Sequence, residues 1–174
     1  GRDSLVADPS NAHWQRDLAA SYIRIGNLML AQGDYVGALK SYRDSLAIAE
    51  RLAQSDPGNA GWQRDLSVSY DKVGDVQVAQ GNLPAALISY QASLAIRDRL
   101  AESDPGNAGW QRDLAVSYEH LAYAYLKAEQ PKKAGDALAA GRAIVARLVA
   151  QFPDWPQWQQ DLAWFDQRIA ALKN

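Results

Sequence analysis

The sequence has no cysteine, only two histidines and a single methionine, and these scarcities exclude several kinds of chemistry. Without cysteine there is no disulfide, no thiolate metal site and no cysteine nucleophile. His13 and His120 have no partner at metal-ligand spacing. The sequence also has no phosphate-binding glycine loop and no nucleophile elbow. We therefore expect a protein without catalytic residues, without a metal site and without a cofactor.

Long apolar runs and an excess of basic residues are also missing. The net charge is −2 and the pI is near 5.6, which disfavours binding to nucleic acid or to anionic lipid. The longest apolar stretch, around residues 143–150, is interrupted by Arg147 and is too short to cross a bilayer. No secretory signal pattern opens the sequence. We expect a cytoplasmic protein that contacts neither nucleic acid nor membrane.

What the sequence does contain is a repeat, marked by tryptophans that follow one another at intervals of 48 residues: Trp14, Trp62, Trp110 and Trp158. Each begins a similar phrase, namely WQRDLAASY, WQRDLSVSY, WQRDLAVSY and WQQDLAWFD. A fixed period of this size indicates one supersecondary unit that is copied and stacked. Because the first three tryptophans each begin an apolar stripe at helical spacing, we interpret them as packing residues.

Aspartates recur with the same period, at Asp17, Asp65, Asp113 and Asp161, and three of them follow an arginine. Equivalent helices of neighbouring units lie on the order of 16–20 Å apart, which is two helix spacings. A shared metal ion needs several oxygens within about 2.6 Å, so these carboxylates are too far apart to ligate one ion. We expect them to form ion pairs or hydrogen bonds between helices.

Each unit contains signals for two helices and none for a strand. An Asp-Pro-Gly break precedes an asparagine at the expected N-cap position, at Asn59 and Asn107, and Asn11 is the counterpart in the first unit. Gly33 and Gly81 stand where a first helix should end in a left-handed residue. Short loops then make the two helices antiparallel neighbours.

These positions resemble a known family. The second unit contains Tyr70-x-x-Val73-Gly74, then Gly81-x-Leu83-x-x-Ala86-x-x-x-Tyr90-x-x-Ser93-Leu94, and this is similar to the tetratricopeptide repeat (TPR). The family repeat has about 34 residues, so we interpret the 48-residue unit as a variant with longer helices. The resemblance implies an all-α, right-handed superhelical solenoid of antiparallel helix hairpins with about seven helices.

We expect one array with these parts: residues 1–9 as the remnant of a preceding helix, repeats at 10–55, 56–103 and 104–151, and a C-terminal capping helix at 152–174. Such an array suggests a fragment of a larger multidomain protein. Pro156 suits the first turn of the capping helix. Trp155 and Trp164 depart from the repeat, and either pack in the cap or form an adhesive end for a partner.

The resemblance also implies a function. In the family, the first helix of each unit lines a concave groove that binds a peptide or protein segment. The positions that follow the first-helix tyrosine carry over to Ile23, Asn27, Leu30, Asp71, Asp75, Val78, Glu119, Tyr123, Leu126 and Lys127. Three of these are acidic, so we expect a non-enzymatic scaffold whose partner carries basic and apolar side chains.

Two alternatives stay open at this point. The first is a structural module in which copies associate through open repeat ends, because the helix that begins near Asn11 has an uncovered apolar edge. The second is an engineered repeat array without a natural ligand, which would explain the high similarity between units.

Overall fold

The computed structural model describes residues 9–174, and it shows seven helices in this range. They are α1 (Pro9–Ala31), α2 (Tyr35–Ser55), α3 (Ala60–Ala79), α4 (Leu83–Ser103), α5 (Ala108–Lys127), α6 (Pro131–Gln151) and α7 (Pro156–Leu172). No strand occurs between residues 9 and 174, so the all-α prediction is confirmed. The predicted helix remnant at 1–9 falls almost wholly outside the described residues.

The predicted N-caps are correct in two of three units. Asn59 Oδ1 accepts a hydrogen bond from the Trp62 backbone N–H at 3.0 Å, and Asn107 does the same for Trp110. The prediction for Asn11 is wrong, because α1 already begins at Pro9. The sequence has Pro9-Ser10-Asn11 where the other units have Pro-Gly-Asn, so the glycine that turns the chain before the cap is absent. Proline is well tolerated in a first helical turn.

The turns between paired helices use left-handed backbone, as expected for Gly33 and Gly81, both at φ 77°. At the third such turn the chain has Glu129, which adopts the same conformation at φ 59°. A side chain in this region carries a steric cost that glycine avoids. The third unit therefore keeps the turn geometry after losing the residue that favours it.

The described chain divides into two compact units, residues 9–93 and 94–174, which we call the first and second unit and which are distinct from the three sequence repeats. In the first, tyrosines of second helices lie over glycines of first helices. A Cβ on Gly26 would lie 2.5 Å from the Tyr42 ring, and one on Gly74 would lie 2.6 Å from the Tyr90 ring. Both rings are fully buried. These contacts explain why small residues recur where the helices approach.

In the second unit, other residue types occupy the positions where the paired helices approach. Ala122 and Leu138 stand at the positions of Gly74 and Tyr90, and both are buried. Between α6 and α7 the arrangement is reversed, because Phe165 of α7 fills the space above Gly141 of α6. A Cβ on Gly141 would lie 2.5 Å from the Phe165 ring. The last helix is thus fixed by an aromatic ring of its own, and the expected start of α7 at Pro156 is confirmed.

The four periodic tryptophans have different environments. Trp158 is buried, and Trp62 and Trp110 are half-buried, which agrees with a packing role. For Trp14 that prediction is wrong, since its side chain is 76% exposed. The reason is that the face of α1 on which it lies, which includes Leu18, is uncovered by the described part of the chain. Equivalent residues of a sequence repeat can therefore differ in burial, because the helices that pack on them differ.

Candidate functional site

Two of the predicted site residues have a hydrogen bond to a buried tyrosine. Asn27 Oδ1 accepts from the Tyr42 hydroxyl at 2.5 Å, and Asp75 Oδ1 accepts from the Tyr90 hydroxyl at 2.6 Å. Both bonds join a first helix to the second helix of the same hairpin. At these two positions, therefore, the side chain has a structural partner besides any ligand it meets.

Most other predicted residues of the first unit belong to its interior. Ile23 and Leu30 are half-buried and pack against a core cluster that includes Tyr42 and Val76. Asp71 is only 5% exposed, and Val78 is half-buried. These positions are therefore largely unavailable for recognition, although they lie on the helices that the sequence pattern indicated.

Ion pairs join successive first helices beside these positions, and this confirms the expectation for the repeated aspartates in two cases. Arg16 of α1 donates to Asp65 of α3 through Nε at 2.6 Å and Nη2 at 3.2 Å. Arg112 of α5 donates through Nε to Asp161 of α7 at 2.8 Å. Hydrogen bonding to the partner carboxylate raises the pKa of both arginines.

Glu119 lies two helical turns after Arg112, on the same face of α5. Its side chain is half-buried, and this burial is the main cause that raises the pKa of its carboxyl group. The negative charge of Asp161 raises that pKa further, while His120, Arg112 and Arg168 act in the opposite direction. Burial and Asp161 thus disfavour the ionised form of Glu119 more than the three neighbouring basic residues favour it.

Exposed side chains follow Glu119 along α5. Tyr123 is 51% exposed, and the Lys127 ammonium lies 5.5 Å from the centre of its ring. Leu126 is also exposed. Because the residue opposite in the hairpin is Leu138 instead of a tyrosine, Tyr123 has no hydroxyl to bond at the position where Asn27 and Asp75 do.

The helix α7 contributes an aromatic and a basic residue that the sequence did not assign to the site. The Arg168 guanidinium lies 5.1 Å from the centre of the Trp164 ring, and Arg168 is one of the charges that act on Glu119. We call Glu119, Tyr123, Leu126, Lys127, Trp164 and Arg168 the second-unit face. A signal for Trp164 was present, since smaller residues stand at its repeat equivalents Ala20, Val68 and Val116.

The second-unit face combines apolar, aromatic and charged side chains. Aromatic residues and arginine are the types that most often dominate protein interfaces. Within the described part of the chain, no group of three or more histidine, aspartate or glutamate residues could hold a metal ion. None of the helices described between residues 9 and 174 is sufficiently long and apolar to cross a membrane.

In a comparison with known families, residues 18–57 match the family model described as tetratricopeptide repeat. The matched segment covers most of α1 and all of α2. This confirms the resemblance that the sequence suggested. A search among curated proteins finds no match.

Proposed function

We propose that this chain, in which residues 18–57 form a tetratricopeptide repeat, is a non-enzymatic protein-interaction module with the second-unit face as its main recognition surface. Tetratricopeptide repeats suggest a scaffold that binds other proteins. The structure adds a reason to favour one part of the predicted site. Among the ten predicted residues, the exposed aromatic and aliphatic side chains, Tyr123 and Leu126, both lie on α5.

The exposure of Tyr123 is the observation that carries the proposal. A tyrosine is a common anchor of protein interfaces because it buries a large ring and offers a hydroxyl for a hydrogen bond. Here the ring is about half exposed, and it lies on a helix whose backbone is fixed by packing against α6. Little conformational entropy is lost when a partner covers such a preorganised side chain.

The charge of Glu119 indicates the chemistry of the partner. Burial and Asp161 both disfavour its ionised form, so a cationic group brought close to it would restore part of the lost stabilisation. We therefore propose a peptide or protein segment with a lysine or arginine for Glu119 and an apolar side chain for Tyr123 and Leu126. Binding should lower the pKa of Glu119, and affinity should rise with pH as this group ionises.

The first unit contributes less in this proposal. Asn27 and Asp75 accept hydrogen bonds from buried tyrosines. Ile23, Leu30, Asp71 and Val78 support the fold around them. Cytoplasmic location and membership of a larger multidomain protein remain proposals that rest on the composition and on the repeat family.

A selection experiment tests this function. Displayed peptides of random sequence are selected for binding to the intact chain. The affinity of the enriched peptides is then measured by fluorescence anisotropy. We expect basic and apolar residues in the enriched set. Tyr123→Ala should weaken binding at least about tenfold, the usual effect of removing an interface anchor.

Two further variants complete the test. Glu119→Gln should weaken binding and remove its pH dependence. Tyr35→Ala is a matched control, since Tyr35 is a partly exposed tyrosine of the first unit, and it should bind as the wild type does. Equal losses for Tyr35→Ala and Tyr123→Ala, or unchanged affinity in Tyr123→Ala, would contradict the proposal.

A further inference from the structure

A second surface lies on α1. It differs from the second-unit face because its exposed large side chains are apolar. Four large side chains on one side of this helix are exposed: Trp14, Leu18, Ile25 and Leu28. Leu28 is 65% exposed. We call these four residues the α1 stripe. Their spacing places them along one face over four helical turns.

The repeat itself shows what covers such a stripe. The equivalents of Ile25 and Leu28 in α3 are Val73 and Val76, which are buried in one cluster with Ala38 and Tyr42 of α2. Thus α3 uses this side to pack against a second helix of the α2 kind. The stripe on α1 is the same docking surface without its helix among the described residues.

The polar contacts of the α2–α3 packing have their counterparts on α1 as well. In α3 the Tyr70 hydroxyl donates to Glu50 Oε1 at 3.0 Å. Gln63 Nε2 donates to the backbone carbonyls of Ala53 and Pro57, both at 3.3 Å. The equivalents on α1 are Tyr22 and Gln15, so both donor residues are retained there.

The same contacts occur in the second unit, so they are a recurring feature of the packing between a second helix and the next first helix. Gln111 Nε2 donates to the carbonyls of Ala101 and Pro105 at 3.4 Å and 3.3 Å. The acidic residue recurs too, since Asp98 stands at the place of Glu50 and its charge raises the pKa of Tyr118, as burial does. A helix that docks in this way has small and aliphatic residues on one side and an acid near its end.

We propose that the α1 stripe is a binding site for one amphipathic helix of the α2 type. The docked helix places an alanine and an aromatic residue over Ile25 and Leu28. It places an acid beside Tyr22 and, beside Gln15, a carbonyl near its C-terminal end that corresponds to that of Ala53; the carbonyl of Pro57 belongs to the turn after α2 and has no counterpart in the docked helix. This site is independent of the second-unit face, because it uses other helices and a different class of contact.

The test uses the intact chain and a labelled synthetic peptide with the sequence of residues 35–58, which contains α2 and the turn after it. Fluorescence anisotropy should show saturable binding. Leu28→Asp in the chain should weaken it at least about tenfold, since a charge would enter an apolar contact. Ile88→Asp is the matched control, because Ile88 is 69% exposed on α4, and its affinity should equal that of the wild type.

A site-specific signal accompanies the titration. With 5-fluorotryptophan in the chain, the ¹⁹F resonance of Trp14, assigned with Trp14→Phe, should shift on binding while that of the buried Trp158 stays in place. A peptide with its Tyr42 equivalent replaced by aspartate should produce neither binding nor shift.

Three results would overturn the proposal. The first is absence of binding by the peptide of residues 35–58. The second is binding that Leu28→Asp leaves intact. The third is a concentration-dependent dimer of the chain that Leu28→Asp abolishes and the peptide fails to disrupt, since a second copy would then be the occupant.

Discussion

Replacing Gly74 by alanine should destabilise the protein although alanine is the better helix former. A methyl group at this position would lie 2.6 Å from Cε1 and 2.7 Å from Cδ1 of Tyr90. Carbon atoms in favourable contact are about 3.5–4.0 Å apart. The Tyr90 ring is fully buried, and its hydroxyl is held by Asp75 at 2.6 Å. The ring therefore has no open direction in which to move.

The magnitude follows from three effects. Overpacking of a core costs about 1–3 kcal/mol. A displaced ring also loses its hydrogen bond to a carboxylate, a contribution of about 1.5–3 kcal/mol. The helix propensity of alanine offsets these losses by about 1 kcal/mol. We expect Gly74→Ala to lower the free energy of unfolding by about 3 kcal/mol.

The assay is urea denaturation followed by far-UV circular dichroism, for the single variants and for Gly74→Ala combined with Tyr90→Leu. The double variant copies the pairing of Ala122 with Leu138 in the second unit. With leucine at position 90 the alanine should be neutral or stabilise by up to about 1 kcal/mol, because the clash is gone.

Gly61→Ala is the control in the same helix. A Cβ there would lie 3.4 Å from Asn59 Oδ1, which is an ordinary contact distance, and no other atom lies within 4 Å. It should be neutral or slightly stabilising. An equal cost of Gly74→Ala with tyrosine and with leucine at position 90 would refute the argument from the ring contact.

Three further predictions concern the turn and the charges of the second unit. Glu129→Gly should raise the free energy of unfolding in urea by up to about 1 kcal/mol, because φ is 59° at this residue; a loss would contradict a strained turn. Burial raises the pKa of Glu119 above 4.5, so the stability it contributes is present at acid pH and is lost as pH rises through its folded pKa. Urea midpoints of the wild type should therefore fall relative to Glu119→Gln between about pH 4 and pH 7; parallel curves would contradict this. Arg112→Gln and Asp161→Asn should show a coupling of about 0.2–1 kcal/mol in a double-mutant cycle, smaller in high salt, and a coupling indifferent to salt would count against a partly exposed ion pair.

The sequence was sufficient for the helices, because their signals are local. Asparagine caps, turn glycines and apolar spacing each depend on a few neighbouring residues. Asn11 shows the limit of such signals, since the glycine that precedes the other two asparagines is replaced by serine in the first repeat. In the first repeat α1 is helical from Pro9, three residues before the position equivalent to Ala60, so Asn11 lies inside the helix.

The candidate site was less predictable, because exposure depends on residues that are distant in the sequence. Trp14 and Trp158 occupy equivalent positions, yet one is exposed and the other is buried. Tyr123 was predicted from its place after the first-helix tyrosine, but the lack of a tyrosine hydroxyl opposite it depends on Leu138, fifteen residues later. Trp164 was interpreted only as a cap residue or an adhesive end, and its pairing with Arg168 appears only in the structure.

The interaction that we propose is recognition of a basic and apolar segment of another protein by the second-unit face. Its most direct test is to map amide chemical shifts of the intact ¹⁵N-labelled chain during titration with a peptide enriched by selection. We expect the largest changes at Glu119, Tyr123, Lys127 and Arg168, with small changes along α1. Changes concentrated outside α5 and α7, or none at a saturating peptide concentration, would contradict the claim.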